Sequence, residues 1–212
     1  MKKNLFIAFE GIDGSGKSTQ VKLLKETLEK EGHKVYTTFE PTDSPIGKII
    51  RDIFAGRMDA DQHTIAALFA ADRLEHLLNK TNGILKKLEE GYTVITDRYY
   101  LSSYAYHGVH VNVNWVIASN SLSAELLKPD LNIYIDISPE LTIERIEKRT
   151  GAAEIYETLE NLENVRNKYF EVIALLKKKE KIKIIDGNRQ PEVIAAEIAD
   201  KVLSLLSNNQ IS

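Results

Sequence analysis

Residues 11–18 read Gly-Ile-Asp-Gly-Ser-Gly-Lys-Ser, directly behind the apolar run Leu5-Phe6-Ile7-Ala8-Phe9. A glycine-rich turn set between a strand and a helix constrains both the local backbone and the ligand it suits. Its glycines let the chain curl so that successive N–H groups face phosphate oxygens, and the helix that follows adds its positive end. Lys17 is spaced to reach the terminal phosphates, and the Ser18 hydroxyl is spaced to ligate Mg²⁺. Val21, Leu23, Leu24 and Leu28 form an apolar stripe that runs to Gly32, so the helix is marked as clearly as the loop. The segment from Gly11, Ile12, Asp13 and Gly14 through Ser15, Gly16, Lys17, Ser18 and Thr19 is therefore expected to bind a nucleoside triphosphate with Mg²⁺.

Four more apolar runs, at 34–39, 92–96, 131–137 and 181–186, join 5–10 as buried strands. Helical patterns lie between them, the alternation of a parallel sheet with helices on both faces. Ser44-Pro45 opens one helix, with Ile46, Ile49, Ile50, Ile53 and Phe54 on one face. Further helical patterns occupy 62–79 and 83–90, and Ser138-Pro139-Glu140 opens another. No repeat, linker or boundary interrupts the 212 residues, so they are expected to form one α/β domain over 1–212. A net charge of −3 leaves no electrostatic footprint for nucleic acid or a membrane surface. The chain has no cysteine, which excludes disulfides and thiolate-ligated zinc. No stretch approaches the ~20 apolar residues of a membrane span. The first apolar run breaks at Glu10 and enters the loop, so it reads as a strand rather than a signal peptide, and a cytoplasmic setting is expected.

Polar groups gather where the first three strands end, the edge at which open α/β sheets bind ligands. The third strand leads into Asp97-Arg98-Tyr99-Tyr100. An acid at a strand tip beside a phosphate loop suits a place in the metal shell, and the planar fork of Arg98 suits a phosphate; the bland alternative is a surface turn with a local ion pair. Phe69 and Arg73, four residues apart, share a helix face on which a ring and a guanidinium suit a nucleobase. Taken alone that pair reads as core packing. Glu40-Pro41-Thr42 is explained by a turn. Arg145 and Arg149 fall on one helical stripe that leads into Thr150-Gly151-Ala152-Ala153, a small-residue break suited to hinging a lid that excludes water during phosphoryl transfer. Glu144 and Glu147 neutralise part of that charge, so a solvated helix face is the competing reading. Asn79-Lys80-Thr81-Asn82 lacks the aspartate of a guanine-reading motif and ends a helix instead of following a strand.

Together these residues resemble the thymidylate (dTMP) kinase family of P-loop nucleoside monophosphate kinases. The similarity rests on Phe9-Glu10-Gly11 through Thr19, on Glu40-Pro41, on Leu68-Phe69-Ala70-Ala71-Asp72-Arg73, and on Asp97-Arg98-Tyr99 with Ser102-Ser103 and Ala105-Tyr106. It covers nearly the whole chain. The resemblance implies a three-layer fold, a five-stranded parallel sheet of order 2-3-1-4-5 flanked by helices, with a short lid near 145–160. It implies transfer of the ATP γ-phosphoryl to dTMP, giving dTDP on the way to dTTP. Lys17 and Ser18 would handle ATP phosphates and Mg²⁺, Asp97 would support the metal shell, and Arg98 would grip the dTMP phosphate. Asp13 would meet the deoxyribose 3′-hydroxyl or the acceptor phosphate. Phe69 would stack on thymine, Arg73 would bond its O4 edge, Ser103 would approach the base edge, and Tyr106 would lie under the sugar. Arg51 is a further candidate for the acceptor phosphate, and a homodimer is typical of the family.

The chain departs from the family pattern at His107, where many members carry Gln, and at Phe39 and Thr42-Asp43 around Glu40-Pro41. The family draws a catalytic arginine from the loop or from the lid. Gly14 closes the first route, and Ile155 in Glu154-Ile155-Tyr156-Glu157 stands where a bacterial-type lid would place Arg, which leaves Arg149, or Arg145, for the role. Two competing readings remain. A deoxynucleoside kinase of the same fold would use Glu40 as a base, and a nucleotide-dependent switch would turn over poorly.

Overall fold

The computed structural model of the chain describes residues 4–150 and 158–208, with the side chains of 147–150 and of 208 outside the description. In chain order the elements are β1 (Phe6–Glu10), α1 (Lys17–Lys30), β2 (Val35–Phe39), α2 (Pro45–Phe54), α3 (Gln62–Leu78) and α4 (Ile84–Glu89). They continue with β3 (Thr93–Asp97), α5 (Tyr100–Tyr106), α6 (Val113–Ser119), α7 (Ser121–Leu126), β4 (Leu131–Asp136), α8 (Pro139–Thr150), α9 (Leu159–Leu176), β5 (Ile182–Asp186) and α10 (Pro191–Asn208). The strands form one sheet of order β2-β3-β1-β4-β5, every pairing parallel. Each expected strand is present, trimmed or shifted by a residue at its ends. At β3 the shift matters, because Asp97 is the last strand residue, opposite Phe9 on one side and Phe39 on the other.

The period-two alternation of the strands sorts side chains into two layers. Leu5, Ile7, Phe9, Ile95, Ile133 and Ile135 face one side, where Leu24 and Leu28 of α1 and Ile194, Ile198, Val202 and Leu206 of α10 cover them. Phe6, Ala8, Val94 and Tyr134 face the other, against Tyr104 of α5, Ile146 of α8 and Val165, Tyr169 and Val172 of α9. A sheet buried on both faces reads as near-continuous apolar runs, which is why β1 is buried at every position. A smaller cluster, Ile50 and Ile53 of α2 with Ile65 and Phe69 of α3, forms a buttress beyond the carboxyl end of β2. Ser44 caps α2 by accepting from the Gly47 amide at 3.0 Å, with Pro45 at the first helical position. Among the described residues no helix is long and apolar enough to cross a membrane.

Candidate active site

The loop after β1 takes a backbone that two of its glycines make possible. Gly11 has φ 144°, and a Cβ there would sit 2.7 Å from the Ile135 carbonyl oxygen. Gly14 has φ 74°, and a Cβ there would come within 3.0 to 3.2 Å of Thr142 and Ile146 on α8. Side chains rarely adopt such φ values, and both positions are also crowded. A Cβ at position 14 would press on α8, and the glycine that stands there offers no side chain to the cleft. α1 begins at Lys17 with no side chain capping its first amides, so those donors face the cleft.

Lys17 is buried and folds back to donate to the carbonyls of Gly11 at 3.0 Å and Ile12 at 2.9 Å. Burial and the nearby Arg98 guanidinium lower its pKa to about 8, against the pull of Asp97 and Asp13. It therefore carries a positive charge at neutral pH. The Ser18 hydroxyl donates to Asp97 at 2.7 Å. Two hard oxygen donors this close, one neutral and one anionic, suit Mg²⁺, which keeps most of its waters and takes few protein ligands. These groups open onto a cleft of 840 Å³, which Arg145, Gly187, Arg189 and Ile194 close on the far side. Arg145 donates to the Gly187 carbonyl at 3.4 Å. The side chain of Arg149, on α8, and the whole segment Glu154-Ile155-Tyr156-Glu157 lie outside the description.

Arg98 follows the β3 tip with φ 77°, the single non-glycine residue at positive φ among the described residues, a conformation that costs about 1–2 kcal/mol for a residue with a Cβ. Its Nη2 donates to Asp13 at 2.5 Å and to the Tyr106 hydroxyl at 3.2 Å, while Nη1 donates to Ser102 Oγ at 3.2 Å and the Gly11 carbonyl at 3.3 Å. The guanidinium also lies 4.7 Å from the Tyr106 ring centroid. Tyr106 donates to Asp13 at 2.8 Å and accepts the Asp13 amide at 2.9 Å. Burial alone would raise the Asp13 pKa, but Arg98, Lys17 and Tyr106 overcome it and hold the carboxyl at about 2. Asp13 and Arg98 thus form a charged pair across the loop at any ordinary pH.

A second cleft, of 460 Å³, opens on the other side of this pair. Phe69, Arg73, Ser103, Tyr106 and His107 line it, with Arg51 at its edge. The Phe69 ring packs 4.9 Å from His107 and 5.9 Å from Phe54. Burial, then Arg73, lowers the His107 pKa to about 3, so the cleft presents a neutral imidazole. Arg51 donates to the carbonyls of Pro41 at 2.9 Å and Thr42 at 2.5 Å, and its other terminal nitrogen lies 3.3 Å from Asp43.

Arg73 is fully buried, and all five of its N–H groups have protein acceptors. Nε and one Nη2 hydrogen go to Glu40 at 2.9 and 2.6 Å, the other Nη2 hydrogen goes to the Tyr99 carbonyl, and Nη1 serves Ser103 Oγ at 3.0 Å and Asn120 Oδ1. A guanidinium has no sixth donor. Ser103 accepts from Arg73, which leaves its own hydrogen for the cleft. Glu40 is tied at both oxygens, with Arg73 on Oε2 and His76 Nδ1 on Oε1 at 3.1 Å. Sequence reasoning named Arg73 and Ser103 but missed Glu10, Asn120, His76 and Tyr169. Asn120, between α6 and α7, stands 47 positions from Arg73, and the packing of α6 and α7 on α3 brings the two together.

Asp13, Phe39, Glu40 and Arg98 line both clefts. A parallel sheet of this order, with a glycine loop feeding α1 and two clefts meeting across an Asp–Arg pair, defines the class of P-loop nucleotide kinases. The family model for thymidylate kinase matches residues 9–198. The chain is 42% identical over 198 residues to a probable thymidylate kinase of Pyrobaculum aerophilum, covering 93% of this chain and 95% of that protein. It is 42% identical over 184 residues to the thymidylate kinase of Caldicellulosiruptor saccharolyticus (83% and 86% covered) and 36% over 197 residues to that of Leptospira borgpetersenii (93% and 92%). The chain belongs to the thymidylate kinase family.

Proposed function

We propose that this chain transfers the γ-phosphoryl of ATP to dTMP with Mg²⁺, giving ADP and dTDP for dTTP synthesis, as a single-domain cytoplasmic homodimer with a lid near 145–160. The observation that carries the reading is the pair of clefts that share Asp13 and Arg98 as their common wall. Two polyanions approaching in line repel, so catalysis is chiefly neutralisation and positioning. Lys17 supplies a cation to the donor phosphates, and Arg98 exchanges part of its bonding to Asp13 for the acceptor phosphate and the group in flight. Ser18 and Asp97 would hold Mg²⁺, which supplies charge neutralisation on the donor phosphates when bound. Phe69 offers its face to the base, Tyr106 its ring to the sugar, and the Ser103 hydroxyl a hydrogen to a base carbonyl. Arg73 aligns that hydroxyl, while Glu40 and His76 align Arg73. A free carboxylate base, which a deoxynucleoside kinase would need, is not supported at Glu40, whose oxygens are both engaged.

The test is ADP release with ATP and Mg²⁺ against dTMP, dUMP, UMP, dCMP, AMP and thymidine. dTMP is expected to be turned over fastest. Turnover of thymidine but not dTMP overturns the reading in favour of a nucleoside kinase, and no turnover with any acceptor favours a switch.

A further inference from the structure

Glu10 lines neither cleft, yet it is fully buried directly beneath the wall between them. Its Oε1 accepts the Tyr99 amide at 3.0 Å, and its Oε2 accepts the hydroxyls of Ser102 at 2.5 Å and Tyr169 at 3.1 Å. Ser102 Oγ accepts in turn from Arg98 Nη1, so a continuous chain of donors runs from the guanidinium through Ser102 to Glu10. The backbone of Arg98 is held on both sides from the end of β1. Its own amide donates to the Phe9 carbonyl at 2.8 Å, and the next amide donates to the Glu10 side chain. A non-glycine residue at positive φ persists where its surroundings over-determine it; Glu10 is one of three anchors here, beside the Phe9 carbonyl and the Thr96 hydroxyl, which donates to the Arg98 carbonyl at 2.9 Å.

We infer that Glu10 is a positioning residue for Arg98, fixing both the left-handed turn that aims the side chain and the hydroxyl that steers its guanidinium. This deepens the phosphotransferase reading above and rests on it. Burying a carboxylate is costly unless it is paired and bonded, and no substrate contact explains its place under the wall. The groups facing it are Ser102 of α5, Tyr169 of α9, and the charges of Arg98, Arg73 and Lys17, which offset part of the cost of burial. An exact aim matters, because a displacement of about 1 Å in a catalytic group costs on the order of a hundredfold in rate.

The experiment is a double-mutant cycle with Glu10→Gln, Arg98→Ala and the pair, read as kcat and as KM for ATP and for the acceptor. The wild type is assayed first, and the cycle is run with whichever monophosphate it accepts, so a wrong acceptor and a wrong role for Glu10 give different results. At pH 8, where wild-type Glu10 is ionised, E10Q is expected to lower kcat about tenfold or more with KM for ATP unchanged and melting temperature no lower than wild type. The double variant should be no slower than R98A alone. Turnover of E10Q within about twofold of wild type, or losses that multiply in the double variant, overturns the inference. Ser102→Ala keeps the backbone anchor and cuts the guanidinium link. Should E10Q fail to fold, S102A decides: a several-fold loss in kcat at constant KM for ATP supports the role, and wild-type turnover refutes it.

Discussion

Arg98 is the residue on which most of the site converges, and its removal should separate binding from chemistry. Arg98→Ala is expected to lower kcat by about 10²–10³-fold, with KM for ATP little changed because Lys17 and the loop amides remain; steady-state kinetics at saturating ATP checks this. Glu10 has a second consequence, for stability. Burial, against Ser102 and the two arginines, raises its pKa from 4.5 to about 7. The native state therefore holds a proton that the unfolded chain has already released. The associated stability is fully present below about pH 4.5 and is lost as pH rises through 7, a change on the order of 3 kcal/mol. Glu10→Gln should thus melt close to wild type at pH 5 and above it at pH 8, measured by thermal denaturation across that range. A difference that shrinks with rising pH would contradict the assignment. None of this is legible in the sequence, where Glu10 is one polar residue closing an apolar run. Its partners at Ser102 and Tyr169 become neighbours only when β1, α5 and α9 are stacked.

At the scale of elements, α3 does more than pack. Asp72, fully buried, accepts the Thr42 amide at 2.7 Å, the Thr42 hydroxyl at 2.6 Å and the Ser44 hydroxyl at 2.8 Å. Ser44 caps α2, so a single carboxylate on α3 fixes the turn after β2, the entry of α2 and, through it, Arg51. Asp72→Ala leaves three donors without their acceptor and should cost at least about 2 kcal/mol of unfolding free energy, seen as a lowered denaturant midpoint together with a raised KM for the acceptor. The helices and strands themselves are legible because their periods are regular: the Ile46-to-Phe54 face and the Ser44-Pro45 start predict α2 correctly. The end of β3 is misplaced by one residue, since Asp97 looks polar enough to leave the strand. It stays because both neighbouring strands hydrogen-bond alongside it, with its own carbonyl accepting the Glu40 amide at 3.0 Å.

For the whole molecule, the sheet order decides which loops meet. β1 lies between β3 and β4, so the glycine loop, the Asp97-Arg98 tip and the start of α8 open at one edge. The resemblance carried by short motifs anticipated that meeting. The supports around Arg73 were not anticipated, because they come from α3, the turn between α6 and α7 and the residue after β2 at once, and no spacing in the chain encodes such a contact. The shared wall between the clefts also bears on what happens when ATP arrives alone. In the resting site Arg98 is committed to Asp13, Tyr106, Ser102 and Gly11, and under the proposed phosphotransfer a phosphate would have to compete with Asp13 for it. On that reading a donor bound without an acceptor would meet an Arg98 still held by Asp13, with less positive charge to spare for attack by water. Asp13→Asn, which weakens that commitment, should raise ADP release from ATP and Mg²⁺ in the absence of any acceptor relative to wild type. On the proposed reading the Asp13–Arg98 pair would act as a catch against idle hydrolysis, and the Asp13→Asn comparison tests it.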